Sequence, residues 1–149
     1  MILKNNSFFS TFSAALLTIG MLMPTVEACT RLVYLGANDQ VITARSMDWK
    51  VDVGTNLWIF PRGMQRTGEA GPNSVKWTSK YGSVIASGYD ISTTDGMNEA
   101  GLVANVLWLV ESSYPKYDSK KPGLTIAAWA QYALDNFATV QEAIDVLSK

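Results

Sequence analysis

Short runs of alternating apolar and polar residues, punctuated by Gly, Asn and Asp, fill the stretch from Thr30 to Leu109 and predict a mostly β region. Arg31 to Leu35 and Gln40 to Arg45 flank Gly36-Ala37-Asn38-Asp39, so these two runs should form a hairpin. Asn56 to Pro61, Ser74 to Thr78, Gly82 to Gly88 and Leu102 to Leu109 are further strands, rich in β-branched and aromatic residues. Between them, Arg62 to Asn73 is dense in turn-forming pairs and reads as an exposed loop. Thr93-Thr94-Asp95-Gly96 and Glu99-Ala100-Gly101 bracket Met97-Asn98 as a tight connection, with Asn98 a turn residue.

The pattern then changes period. Leu124 to Asn136 is helical by propensity and nearly apolar all round, which predicts a helix buried on more than one side. Thr139-Val140-Gln141-Glu142 is a capping box that opens a second helix, with Val140, Ala143, Ile144 and Leu147 on one face. No Gly, Asn or Pro closes that helix before Lys149, so the expectation is the amino-terminal part of a longer protein. Strands followed by helices, without an internal repeat or linker, predict one α+β domain.

The first segment reads differently. Lys4, an apolar run from Phe12 to Met23, the breaker Pro24 and the small residue Ala28 follow the order of a secretory signal peptide, and the run is short for a membrane span. Cleavage after Ala28 would leave about 121 residues, enough for one modest domain, in a periplasmic or secreted protein. At 48% apolar and 17% charged residues the composition is that of a soluble globular chain. A formal net charge of −1 gives no electrostatic case for nucleic acid or an anionic membrane, and no membrane partner is expected once the leader is removed.

Candidate chemistry is narrow. The chain has no histidine, which removes Ser-His-Asp and Cys-His catalysis and His-containing zinc sites. Its one cysteine cannot form an intrachain disulfide or a multi-cysteine metal site, and neither metal nor cofactor is expected. That cysteine, Cys29, directly follows the cleavage site, so processing would expose a thiol and an α-amino group on one residue, a nucleophile and a base together. The α-amino group, with a reference pKa of roughly 7.7–8.0, is partly neutral near neutral pH. Two other readings stand beside this one: a lipoprotein or binding module in which Cys29 is acylated, disfavoured by Glu27, and an inactive fragment.

A hairpin centred between Ala37 and Asn38 pairs residues whose numbers sum to about 75, which places Cys29 opposite Arg45 or Ser46, within one or two places. A guanidinium beside a thiol favours the thiolate. Asp48 lies near enough to the same strand end to hold the new amino group.

Ala28-Cys29-Thr30-Arg31, Ala44-Arg45-Ser46-Met47-Asp48-Trp49 and Asp95-Gly96-Met97-Asn98-Glu99-Ala100-Gly101-Leu102 resemble, in order, the motifs of choloylglycine hydrolases, including bile salt hydrolases and penicillin V acylases. The spacings of 16 residues from Cys29 to Arg45 and 19 to Asp48 fit that pattern. The resemblance implies a four-layer αββα amino-terminal-nucleophile fold, here incomplete, and hydrolysis of a small-molecule linear amide by Cys29, with Arg45 stabilising the thiolate and Asp48 holding the α-amino group. It also implies Met47 at the acyl pocket and Trp108 where many bile salt hydrolases carry an oxyanion asparagine. Asn105 is the nearest asparagine, three residues away. Tryptophan at that position resembles the Gram-negative subgroup, in which penicillin V or acyl-homoserine lactones are substrates alongside bile salts. A homo-oligomer of the full-length protein is a further expectation.

Overall fold

The structure, a computed structural model, describes residues 29–109 and 111–148; the expected leader lies outside them. The first hairpin forms from β1 (Thr30–Leu35) and β2 (Val41–Ser46). Asn38 and Asp39 both take a left-handed φ of 58°, a conformation their short polar side chains tolerate. Using both residues in the turn moves its centre by half a residue. Thr30 therefore faces Ser46 and Arg31 faces Arg45, so Cys29 lies just past the pair that the simpler turn implied.

A four-stranded antiparallel sheet in the order β3-β6-β7-β8 carries most of the remaining β structure. Its strands are β3 (Leu57–Phe60), β6 (Ser83–Gly88), β7 (Ser92–Asn98) and β8 (Val103–Asn105). The expected loop at Arg62 to Asn73 instead contains β4 (Gln65–Thr67), which pairs with β5 (Lys76–Thr78). The expected connection at Thr93 to Gly96 is also strand, because β7 is specified by its neighbours rather than by its own polar, small-residue sequence. A Cβ on Gly96 would lie 2.7 Å from both Ile85 Cγ2 and Leu134 Cδ1, closer than packed carbons approach, so glycine lets a helix close onto the sheet here. Only Glu99 to Gly101 turns. Asn98 organises that turn: its Oδ1 accepts from the N–H groups of Ala100 (3.1 Å) and Leu102 (3.0 Å). Its Nδ2 donates to the carbonyls of Leu134 (2.8 Å) and Phe137 (2.7 Å).

Helix α1 (Ile126–Asn136), capped by the Thr125 side chain, packs on β7 and β8. Its sheet-facing stripe is partly polar, contrary to the apolar reading of its sequence, while Ile126 and Trp129 are exposed. Asp135 is 0% exposed and accepts hydrogen bonds from Trp77 Nε1 and Gln131 Nε2, each at 2.7 Å, with Arg66 Nε 3.1 Å away. Gln131 in turn accepts from the Thr93 hydroxyl at 2.7 Å. A buried carboxylate is tolerable only when compensated in this way. Helix α2 (Val140–Leu147) starts where the capping motif indicates, with the Thr139 hydroxyl accepting from Glu142 N at 3.2 Å. Glu142 reaches back one residue further than the standard box, to the Ala138 N–H at 2.8 Å.

The sheet's two faces differ. Ser83, Ile85, Ser87 and Asn98 are buried on the α1 side. On the other side Leu57, Ile59, Val84 and Met97 form an exposed apolar surface, with Ile59 80% exposed. Strand alternation puts Asp95 on this second face.

Candidate active site

Cys29 is half-buried immediately before β1. The Thr30 N–H donates to Ser46 Oγ at 3.3 Å, and Ser46 Oγ donates to Asp48 Oδ2 at 3.0 Å. The hairpin register thus ties the backbone beside Cys29 to Asp48 through one hydroxyl. The hairpin reading of the sequence named Ser46 only as an alternative to Arg45 opposite Cys29; the link its hydroxyl makes to Asp48 appears in the structure.

Arg45, on β2, crosses to the main sheet. Its Nε lies 2.7 Å from Asp95 Oδ1, and its side chain is 8% exposed against 20% for that of Asp95. The approach is a contact between charges rather than an aligned hydrogen bond, because the Nε–H itself finds no well-directed acceptor. Nη1 donates to the Ser46 carbonyl at 3.3 Å and Nη2 to the Val106 carbonyl. Asp95 Oδ1 also accepts from Asn105 Nδ2 at 2.9 Å, as their pairing across β7 and β8 allows.

The predicted strand to Leu109 ends early, at Asn105. The chain turns off the ladder after Val106, whose N–H still donates to Thr94 O at 2.7 Å while its carbonyl is taken by Arg45. Trp108 consequently leaves the sheet, and strand alternation no longer relates it to Asn105. Its ring, 55% exposed, meets Trp49 edge-on with centroids 5.4 Å apart and planes at 67°. Trp49 Nε1 donates to the Tyr89 hydroxyl at 3.0 Å. Met47 is half-buried on the segment between Ser46 and Trp49.

The structure therefore gathers Cys29, Arg45, Met47 and Asp48 at one end of the hairpin, and joins Trp108 to them through Trp49 and the Val106 carbonyl. Asp95 takes part as the partner of Arg45, and Asn105 as the partner of Asp95, roles that appear only once distant strands are brought together. Two concavities of about 460 and 500 Å³ lie elsewhere, one lined by Trp58, Phe60, Arg66 and Gln131 and the other by Ile59, Arg62 and Glu99. Neither is lined by Cys29, Arg45 or Asp48. At the rim of the second, Glu99 accepts from Arg62 and from the Gly82 N–H, which hold its carboxyl down to about 2. Among the described residues no three His, Cys, Asp or Glu side chains gather as they would around a metal ion.

Cys29 thus precedes a strand whose register partner carries Arg45 and, two residues past its end, Asp48. A model of the linear amide C–N hydrolases, choloylglycine hydrolase family, matches residues 29–149. The chain belongs to this family. Among individual choloylglycine hydrolase relatives, a penicillin V acylase of Pectobacterium atrosepticum is 55% identical over 158 aligned positions, covering 99% of this chain and 42% of the relative. The solved structure of the penicillin V acylase from Agrobacterium tumefaciens is 83% identical and superimposes with a TM-score of 0.77 over 79% of this chain and 37% of that one. A conjugated bile acid hydrolase from Clostridium perfringens, solved as a mutant with one cysteine replaced by alanine, is 25% identical. It has a TM-score of 0.66 over 80% of this chain and 37% of its own. The chain thus spans about two fifths of the length of these choloylglycine hydrolase relatives. Its fold class is the α+β, four-layer αββα arrangement of amino-terminal-nucleophile hydrolases, of which the described residues form a part.

Proposed function

We propose that this protein hydrolyses linear amides with Cys29 as nucleophile, after removal of residues 1–28 in the periplasm or on secretion, and that penicillin V is its preferred substrate class. The observation that carries the reading is that the family match begins at Cys29, the residue that follows the expected cleavage site. The preference for penicillin V rests on the two relatives above 50% identity, both penicillin V acylases, against the 25% identity of the bile acid hydrolase.

The α-amino group of Cys29 takes the thiol proton, and the thiolate attacks the amide carbonyl carbon, forming a C–S bond and a tetrahedral oxyanion. Collapse breaks the C–N bond as the α-amino group of Cys29 delivers the proton to the leaving nitrogen. A water molecule, losing its proton to the same amino group, then attacks the thioester, releasing the carboxylic acid and restoring the thiol. Arg45 favours the thiolate. Asp48, already anchored through Ser46, holds the amino group formed on processing. The oxyanion needs fixed donors. Asn105 has its Nδ2 committed to Asp95 in this structure, which argues against its serving as one. Met47 and the Trp108–Trp49 pair face the acyl group, and the edge-on tryptophans offer an aromatic surface to a phenoxy ring.

The test is side-by-side hydrolysis of penicillin V, a glycine-conjugated bile salt and a long-chain acyl-homoserine lactone by the processed protein. Penicillin V is expected to give the highest kcat/KM. A higher value for either of the others would overturn the preference.

A further inference from the structure

We propose that Asp95, backed by Asn105, is the positioning residue for Arg45, seating its guanidinium so that the cation acts on Cys29. This rests on the reading of Arg45 as the group that favours the Cys29 thiolate. Arginine has a long, flexible side chain, and its default on a short exposed hairpin is to extend into water. Arg31, directly opposite in the register, does so. Arg45 instead is withdrawn until its side chain is 8% exposed, and a buried guanidinium requires a counter-charge.

Three acceptors surround it: the Ser46 and Val106 carbonyls and the Asp95 carboxylate. Only Asp95 carries charge, so it dominates the energy of seating. Asp95 is itself fixed. Its neighbour Gly96 is closed in by Leu134 on the α1 face, which directs Asp95 to the opposite face, and Asn105 donates to its Oδ1 at 2.9 Å. That hydrogen bond also decides how the Asn105 amide is turned, leaving Asn105 Oδ1 buried without a partner.

The charged groups on the elements meeting here are Arg31 on β1, Arg45 on β2 with Asp48 just beyond it, and Asp95 on β7; β8 contributes the neutral Asn105. Against this set, the sign of the Asp95→Ala effect separates two roles. A carboxylate acting only as a nearby negative charge disfavours a thiolate, so deleting it would speed alkylation of the thiol and move its pH profile down. Deleting a residue that seats Arg45 frees the cation, slows alkylation and moves the profile up.

The experiment is iodoacetamide alkylation of the processed protein as a function of pH, read by mass spectrometry on the peptide that carries Cys29, the one cysteine of residues 1–149. Asp95→Ala is expected to slow alkylation near pH 7 about tenfold and to raise the midpoint, in the direction of Arg45→Ala. The Arg45→Ala/Asp95→Ala double variant should be no slower than Arg45→Ala, because the second residue acts through the first. A profile unmoved or moved down in Asp95→Ala, with Arg45→Ala shifted up, overturns this proposal and leaves the role of Arg45 standing. An unmoved profile in Arg45→Ala overturns both. If Asp95→Ala does not fold, Asn105→Ala decides: a smaller upward shift that vanishes in the Arg45→Ala background supports the proposal, and no shift overturns it.

Discussion

Replacing Cys29 by serine is expected to lower kcat for penicillin V by about 10³-fold or more, with far-ultraviolet circular dichroism unchanged. The size follows from the acidity of the two groups. A serine hydroxyl is a far weaker acid than a thiol and needs a well-placed base to attack an amide at neutral pH. An α-amino group suited to a thiol must then deprotonate a much weaker acid. The thiol-to-hydroxyl change is small in volume and Cys29 is only half-buried, so the loss belongs to chemistry rather than to folding. Release of phenoxyacetic acid, measured alongside the spectrum, checks it. Residual turnover within tenfold of the parent would mean that the nucleophile is elsewhere.

The largest expected effect on stability is at Asp135. Asp135→Ala should lower the unfolding free energy of the protein by about 3–5 kcal/mol, read from the midpoint of a urea transition. The substitution removes two buried acceptors at once. Trp77 Nε1 and Gln131 Nε2 lose 2.7 Å bonds, and Arg66 is left without its counter-charge at a side-chain exposure of 20%. Adding Arg66→Met should recover part of the loss, since the uncompensated cation goes with it. A change below about 1 kcal/mol in Asp135→Ala would show that water compensates the site and that the network does not organise the helix–sheet interface.

These two residues mark the limits of what the sequence could show. Cys29 was visible because everything that distinguishes it is local: a leader pattern before it, a hairpin signal after it, and motifs at fixed spacing from it. The hairpin was legible from Gly36 to Asp39, and its register missed by one place only because both Asn38 and Asp39 adopt left-handed φ. Helix α2 was legible from its capping box.

Asp135 was hidden because its partners come from elsewhere: Trp77 lies 58 positions away in the chain. In a helix that reads as apolar, an aspartate looks like a surface residue until the sheet is folded beneath it. Strand β7 was missed for a related reason. Ser92 to Gly96 has no apolar alternation, and its strand character comes from pairing with β6 and β8 and from the room that Gly96 leaves for Leu134. Asp95 lay within a recognised motif, yet its contact with Arg45 depends on the hairpin meeting the sheet. Trp108 was expected on a strand and lies beyond one, because the ladder ends at Asn105.

In the proposed reaction Cys29 becomes an amino-terminal nucleophile and is acylated during turnover. The most direct measurement is the mass of the amino-terminal peptide after acid quench of the purified protein turning over penicillin V. The expected peptide begins at Cys29, with part of it carrying one phenoxyacetyl group on the thiol. A peptide that begins upstream of Cys29, bears lipid there, or stays unmodified throughout rapid turnover would contradict it.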